Sequence, residues 1–392
     1  MKQQIITFIP LFVTFFWFLL LLLDTKKNIS KKFLTMFFGL CTILYFSHFI
    51  YFNHQFELYK ILDNIWVFIS LSVYPLYYYY IRLLTKDAKI NWKWLWLITP
   101  ALLVSVVSSV IYILMNNDEV NMFVNGILFE EGLTKPYPKL IQIQSLRIPI
   151  FKIIFAIELI LTVFFGLKLL IEYNKKVNEF YSNTAEKDMA QFKWVMLGLL
   201  ITAFISFISN LIGKSYFITH PFMLFIPSLS HSIVQYFIGY IGYKQNFTIA
   251  DLERDVAEYT ANKEVTQDTT SLTSNKKQKK QHIYRLLNLL EEKQIFKNPD
   301  LRITDVAFLM GTNRTYISNL VNMNMQTSFN ELVNSYRVKY AIKLLHSNDT
   351  DDLSMADIAT SAGFPSLSTF YRIFKNKTGI SPGEYRAQII NS

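Results

Sequence analysis

Charged residues are scarce in this sequence. They make up 17% of the 392 residues, whereas hydrophobic residues make up 52%. Soluble domains contain about 25% charged residues, so a large part of the chain is expected to lie in a non-aqueous environment. The charges that are present sum to +10, which indicates anionic partners, either phospholipid headgroups or nucleic acid.

Residues that particular chemistries require are also missing. Cys41 is the single cysteine, so the sequence predicts neither an internal disulfide nor a thiolate metal cluster. The last apolar segment has no lysine for a retinal Schiff base. Ile208 stands where a phosphate loop ending in Gly213-Lys214-Ser215 would need glycine. With no acid–base pair or metal-ligand cluster in the sequence, we predict no enzyme, no catalytic or metal site and no cofactor.

Seven long apolar segments approach the roughly 20 residues that a helix needs to cross a bilayer. They lack the polar face of a helix in a soluble core. We therefore predict an all-α fold in which residues 1–244 form a seven-helix transmembrane domain. The first segment has no small-residue cleavage site before Asp24, so it is expected to remain a helix. The segments are Ile5–Leu23, Phe33–Phe52, Ile65–Ile81, Trp94–Met115, Ile148–Ile171, Trp194–Ile212 and Phe222–Ile241.

Lysine and arginine in the loops predict the orientation of these helices. With the N-terminus outside, loops 24–32, 82–93 and 172–193 face the cytoplasm and carry twelve such residues, against six in the outer segments. Positive charge concentrates on the cytoplasmic side of membrane proteins. Seven crossings then place everything after Ile241 in the cytoplasm. The prediction is a multi-pass protein of the inner (cytoplasmic) membrane, with the lipid bilayer as one partner.

Glu158 and His231 are ionisable residues within the fifth and seventh predicted segments. Both segments run inward, and both residues lie about 14 Å from the outer end at 1.5 Å per residue. An ionisable group at that depth usually faces a partner or a cavity. Two interpretations stay open. The pair either forms a site that senses an unknown signal ligand, or only fixes how the helices pack.

The composition changes abruptly after the last apolar segment. Residues 245–275 carry six acidic and two basic residues and are rich in threonine and serine. We predict an acidic flexible linker there, and leave open that Ile249–Tyr259 extends a helix. Residues 276–392 carry sixteen bases and ten acids, a net charge of +6. This is the electrostatic pattern of a protein that binds a phosphate backbone.

Two similar patterns within residues 276–392 predict two helix-turn-helix units. In 302–321, Thr304 is expected to cap a short helix, Gly311 to form the turn and Asn313 to cap a second helix. Residues 353–374 repeat the plan, with Ser354 and Ser366 as caps and Gly363 as the turn. The predicted inward faces are Val306, Ala307 and Met310, then Ile317, Leu320 and Val321, then Ile358, Ala359 and Ala362, then Phe370, Ile373 and Phe374.

The segment Phe329–His346 has the apolar spacing of one longer helix, with Leu332, Val333, Tyr336, Tyr340 and Leu344 on its inner face. It would hold the two short second helices apart. Such a spacing suits successive major grooves on one face of DNA. The predicted chain is therefore an all-α membrane domain followed by an all-α domain with two helix-turn-helix units, in residues 276–392.

The second unit and its surroundings resemble the DNA-binding domain of the AraC/XylS family. The resemblance covers roughly Ile283–Ala387, and Gln326 replaces a common glycine. The whole chain resembles the membrane-spanning subgroup of the Bacteroidetes type. The residues that carry the resemblance are Ile358-Ala359, Gly363-Phe364, Ser366, Thr369-Phe370, Arg372, Phe374-Lys375, Gly379, Pro382 and Tyr385-Arg386, with Phe329-Asn330, Asn334 and Tyr336-Arg337 upstream.

The resemblance implies which residues face double-stranded promoter DNA. Those expected to face the groove are Thr315, Ser318 and Asn319 in the first unit, and Leu367, Ser368, Tyr371 and Arg372 in the second. Those better placed for phosphates are Asn313, Arg314, Ser366 and Lys375. Phe364, Phe370, Phe374 and Ile358 are expected to form the core.

Two functions follow from this arrangement. The first is a one-component transcription regulator in which a signal at the membrane domain controls DNA binding. The second is a membrane receptor or transporter whose helix-turn-helix tail docks protein partners. Arg372, Lys375 and the basic charge balance favour the first. A homodimer is left open.

Overall fold

A computed structural model of the chain describes residues 2–24, 28–129, 137–212, 216–217, 220–264, 276–347 and 353–390. Within these residues the fold is all-α, as predicted, and the one extended pairing is an isolated bridge between Tyr181 and Arg302. The chain divides into two compact units. The N-terminal unit contains Met1–Ile171 and Met189–Asp251, and the C-terminal unit contains Glu172–Asp188 and Leu252–Ser392.

Long apolar helices form the N-terminal unit. They and the shorter helices between them are α1 (Lys2–Leu23), α2 (Ile29–Phe52), α3 (Phe56–Thr85), α4 (Thr99–Leu114), α5 (Asn117–Asn121), α6 (Lys139–Ser145), α7 (Arg147–Phe180), α8 (Phe192–Ile212) and α9 (Phe225–Lys244). Helix α1 packs against α2 and α9, and α3 packs against both α2 and α4. Helix α7 continues past Ile171, so its last residues belong to the C-terminal unit.

Six helical segments are long and apolar enough to cross a membrane, judged by length and composition. They correspond to every predicted segment except Ile65–Ile81. That segment lies inside the 30-residue helix α3. Helix α3 carries polar residues, among them Asp63, Ser70 and Ser72, and these are buried against neighbouring helices. A helix covered by others needs no continuous apolar surface, so low hydropathy does not argue against a seventh crossing, which stays a prediction.

A short π-helical segment, Met122–Phe129, packs in the N-terminal unit. Phe123 and Val124 are fully buried in it, and Phe129 stacks on Tyr51 with ring centroids 4.4 Å apart. Apolar burial of this extent fixes the segment against α2 and α3. It therefore forms part of the core of this unit.

The C-terminal unit contains the last residues of α7 and the helices that follow α9. These are α10 (Ile249–Glu264), α11 (Lys276–Glu291), α12 (Ile303–Leu309), α13 (Arg314–Asn319), α14 (Phe329–Leu345), α15 (Met355–Ser361), α16 (Leu367–Thr378) and α17 (Pro382–Ile390). A 3₁₀ turn, Ile295–Lys297, precedes α12, and a π-helical turn, Leu320–Asn324, follows α13. Helix α14 packs against α15 and α16.

The predicted linker, 245–275, is helical in its first half. Helix α10 continues beyond Tyr259 to Glu264, and residues 265–275 lie outside the described residues. Residues Glu172–Asp188 were predicted as part of a cytoplasmic loop of the membrane domain. In the structure they make their contacts within the C-terminal unit. The domain boundaries at 244/245 and 275/276 stay predictions.

Candidate nucleic-acid interface

The first helix-turn-helix unit consists of α12 and α13, joined by a turn at Gly311. Gly311 has φ +66°, a backbone conformation that glycine adopts without strain. The Asn313 side chain accepts a hydrogen bond from the Tyr316 N–H at 2.7 Å and caps α13, as predicted. The predicted inward residues Val306, Ala307, Met310, Ile317, Leu320 and Val321 are all buried.

The predicted cap of α12 was wrong by two residues. Arg302 occupies the N-cap position, and its N–H donates to the Asp305 carboxylate at 2.7 Å. Thr304 lies inside the helix and is buried. An acidic residue three positions after the cap can satisfy a free N–H, so Asp305 supplies the function that the sequence assigned to a threonine hydroxyl.

The second unit consists of α15 and α16, with a turn at Gly363 (φ +83°). Ser354 and Ser366 cap the two helices, each accepting a hydrogen bond of 3.2 Å from an N–H three residues later, as predicted. Phe370 and Phe374 are fully buried. The expected core residues Ile358, Phe364, Phe370 and Phe374 therefore all lie inside, together with Ala359 and Ala362.

The DNA-facing residues expected in the second unit lie together on the exposed side of α16. Leu367 and Tyr371 are one turn apart, and Arg372 and Lys375 continue the same side of the helix. With Ser366 and Ser368 all six are solvent-exposed. Two cations, hydroxyl groups and an exposed leucine can contact phosphates, base edges and the thymine methyl group. The exposed side of α16 is therefore a candidate DNA-contacting surface.

The corresponding residues of the first unit are less uniformly exposed. Thr315 and Asn319 are exposed on α13, whereas Asn313, Arg314 and Ser318 are partly buried. The Ser318 hydroxyl accepts a hydrogen bond from the Asn322 amide at 3.3 Å. The DNA-contacting role of all these residues stays a prediction.

Arg337 is one of the sixteen bases that were expected to form a basic surface, but it does not lie on the surface. It is fully buried in α14, and its guanidinium donates to the carbonyl oxygens of Phe296 and Asn298 at 2.8 and 2.7 Å. Burial lowers its pKa to about 10. The buried face of α14 differs from the predicted one. Its buried residues are Phe329, Val333, Asn334, Arg337, Val338, Ala341 and Leu345.

Gln326 adopts the conformation for which glycine is common in the family it resembles. Its φ is +52°, in the left-handed region that costs a non-glycine residue roughly 1–2 kcal/mol. The turn between α13 and α14 is therefore retained despite the substitution.

The two membrane residues assigned to sensing are not brought together. His231 interacts with the Pro227 carbonyl oxygen at 2.8 Å and with the Ser206 hydroxyl at 3.3 Å. Both carboxylate oxygens of Glu158 are buried and have no hydrogen-bond partner among the described residues. Equal depth along two helices does not fix the direction in which each side chain points, which is why the inferred pair does not form. A sensing role for either residue stays a prediction.

A buried polar cluster in the N-terminal unit was missed. Arg147, counted among the outer-loop charges, forms an ion pair with Asp63 and donates to Asn64 and Ser108 at 3.1 and 2.9 Å. The Tyr112 hydroxyl also donates to Asp63, at 2.7 Å. The sequence feature that could have predicted this cluster is one acidic and one basic residue, each at the outer end of a predicted apolar segment.

The C-terminal region of the chain is similar to known proteins. A family described as "Helix-turn-helix domain" matches residues 306–388. The Msm operon regulatory protein of Streptococcus mutans is 32% identical over 92 residues, covering 24% of this chain and 32% of that protein. The Melibiose operon regulatory protein of Escherichia coli is 37% identical over 86 residues, covering 22% of this chain and 28% of that protein.

The C-terminal domain belongs to the AraC/XylS family of helix-turn-helix transcription regulators. The described residues thus contain the two units that the sequence predicted, and the domain is that of a DNA-binding regulator. Among solved structures, the C-terminal domain of AraT, a response regulator from Geobacillus stearothermophilus, is 26% identical, with 27% of this chain and 84% of that chain covered and a TM-score of 0.25. The matched region spans about a third or less of the length of the curated relatives named above.

Proposed function

We propose that the chain is a membrane-bound one-component regulator in which a signal at the N-terminal unit changes how the AraC/XylS-family domain binds promoter DNA. The observation that carries this proposal is the exposed side of α16, where Arg372 and Lys375 stand beside hydroxyl groups on a helix-turn-helix core. Six apolar helices in the same chain supply the membrane part of the proposal.

The orientation that fits this function has the N-terminus outside and the C-terminal domain in the cytoplasm, since promoter DNA is there. The bilayer and an unknown signal ligand are the other proposed partners, and a homodimer is compatible with the two-unit domain. Glu158 and His231 are the proposed sensing residues. Glu158→Gln or His231→Gln is expected to leave membrane abundance unchanged while fixing promoter output in one state.

Genome-wide mapping of the DNA bound by the full-length protein tests the proposal. The expected result is enrichment at a limited set of promoters, and binding to those promoters in vitro that weakens steeply as salt rises. Co-purification of protein partners without any enriched DNA would contradict it. That outcome would instead support the alternative of a membrane receptor or transporter with a docking tail.

A further inference from the structure

The last residues of α7 and the residue pair that follows it lie against the first helix-turn-helix unit. We call Glu179–Ser182 the α7 tail. Ser182 is almost fully buried, and its N–H donates to the Leu301 carbonyl oxygen at 3.1 Å. Its own carbonyl oxygen accepts from the Asn330 amide at 2.7 Å. Because both the N–H and the carbonyl oxygen of Ser182 are hydrogen-bonded, the α7 tail occupies a defined position in the C-terminal unit.

Ser182 also completes the hydrogen bonding of a buried charge. The Arg337 guanidinium donates to the Ser182 hydroxyl oxygen at 3.1 Å, in addition to the carbonyl oxygens described above. No carboxylate lies within ion-pair distance of Arg337 among the described residues. A buried cation without a carboxylate needs several acceptors to offset its desolvation. The α7 tail therefore contributes to the core of the DNA-binding domain as well as covering its surface.

A second set of contacts reaches the recognition helix α13. The Arg314 guanidinium carbon lies 5.2 Å from the centre of the Phe180 ring, a distance at which a cation and an aromatic face attract. Asn322 donates a long hydrogen bond, 3.5 Å, to the Glu179 carboxylate. Burial lowers the pKa of Arg314, and the Glu179 charge offsets part of that lowering. Arg314, the residue expected to contact a phosphate, thus already lies against an aromatic ring and within the electrostatic influence of a carboxylate.

The α7 tail is also attached to α10, the helix that leads into the C-terminal unit. The Tyr181 hydroxyl donates to the Asp255 carboxylate at 2.6 Å, and Asp255 pairs with Arg302 at 3.4 Å. Arg302 is the N-cap of α12. The Asp255–Arg302 ion pair therefore connects α10 to the start of the first helix-turn-helix unit, and the Tyr181–Asp255 hydrogen bond adds the α7 tail to this connection.

We infer that the first helix-turn-helix unit has a second binding surface whose partner is the α7 tail, and that the tail and a DNA backbone compete for Arg314. The inference rests on the proposed function and supplies its coupling step. Helix α7 runs without interruption from Arg147 to Phe180, so a rearrangement of its membrane part changes the position of the tail. A phosphate approaching Arg314 meets the Glu179 carboxylate, and like charges at an interface disfavour association.

The test measures DNA binding by the full-length protein in lipid nanodiscs, with a mixed-sequence duplex as the probe because a phosphate contact does not depend on sequence. Glu179→Gln removes the carboxylate, and Phe180→Leu keeps an apolar side chain but removes the aromatic face. Each is expected to strengthen binding about fivefold or more, the lower end of coupling between sites in proteins. Amide hydrogen exchange in residues 172–188 should become faster when DNA binds to the unsubstituted protein.

Glu186→Gln is the matched control, because Glu186 is an exposed carboxylate in the turn that follows α7, in the same segment Glu172–Asp188. It should change binding less than twofold, which separates the local contact from a general effect of charge. Equal affinity of the unsubstituted protein and both tail variants, or exchange in 172–188 that DNA leaves unchanged, overturns the inference alone. Failure of the unsubstituted protein and of every variant to bind any DNA overturns the proposed function, and the inference with it.

Discussion

A Cβ atom added to Gly363 would lie 2.5 Å from the carbonyl oxygen of Phe296. Gly363 forms the turn of the second helix-turn-helix unit, whereas Phe296 belongs to the 3₁₀ turn that precedes the first unit. The same carbonyl oxygen accepts the hydrogen bond from Arg337. The Phe296 carbonyl oxygen therefore lies between the turn at Gly363 and Arg337 of α14, and leaves no room for a side chain at position 363.

Gly363→Ala is predicted to destabilise the DNA-binding domain by about 2–4 kcal/mol, through left-handed strain and overpacking together. Gly311→Ala is the matched comparison, since Gly311 also has a positive φ but nothing lies within 4 Å of an added Cβ. It should cost only the conformational strain, about 1–2 kcal/mol. Native-state amide hydrogen exchange in the C-terminal unit of the full-length protein measures both. Equal losses would show that the contact with Phe296 carries no energetic weight.

Arg372→Ala is predicted to weaken binding of the full-length protein to a specific site by about 1–3 kcal/mol, the loss typical of one base contact. Arg372→Lys keeps the charge but cannot form two parallel hydrogen bonds, so it should lose most of the preference for the specific site over other DNA sequences. Lys343→Ala, at an exposed position on α14, controls for the lost charge. An equal loss on every DNA sequence would make Arg372 a phosphate contact, and unchanged binding by a folded variant would remove it from the interface.

The two helix-turn-helix units could be predicted from sequence because their signals are local. Gly311, Asn313 and Ser366 each act within one turn of the residues that they cap or connect, and the apolar periodicity of the four short helices is complete within about twenty residues. The apolar helices of the N-terminal unit follow from composition in the same way. The prediction of α3 rested on a weaker signal, since the helix is polar where neighbouring helices cover it.

The residues that the sequence misplaced are those whose partners are distant along the chain. The sequence favours Arg337 as a surface cation, because its partners Phe296 and Ser182 are distant along the chain. It favours Arg147 as a loop charge for the same reason, because its partner Asp63 is distant. Charged side chains are rarely buried without partners, so a single sequence favours the exposed interpretation. The failure of the Glu158–His231 pair has the same origin, because depth in a membrane does not determine rotation about the helix axis.

Asp63→Asn is predicted to reduce the amount of folded protein in the membrane, because it leaves Arg147 as an unpaired buried cation. Breaking a buried ion pair from one side typically costs 3–5 kcal/mol. Asp118→Asn removes a carboxylate from an exposed position in the same unit and should leave the amount unchanged. Quantitative blotting of membrane fractions measures both variants. Normal abundance of Asp63→Asn would mean that solvent or lipid headgroups satisfy Arg147.

Reporter fusions test the orientation on which cytoplasmic DNA binding depends. A fusion after Lys244 should be active with a reporter that works only in the cytoplasm and inactive with one that works only outside. Fusions within residues 120–140 should behave in the opposite way, since Lys and Arg are concentrated in the loops on the other side of the predicted bilayer. The physical reason is that basic loops resist translocation.

Two further fusions, one before Trp92 and one after Leu114, isolate α4 as an internal control for a single change of side. Reversed activities at Lys244 and 120–140 would place the helix-turn-helix domain outside the cell, away from DNA, and would contradict the proposed regulator. Activity on the same side at both positions would instead show an even number of crossings between them, where α7, α8 and α9 require three.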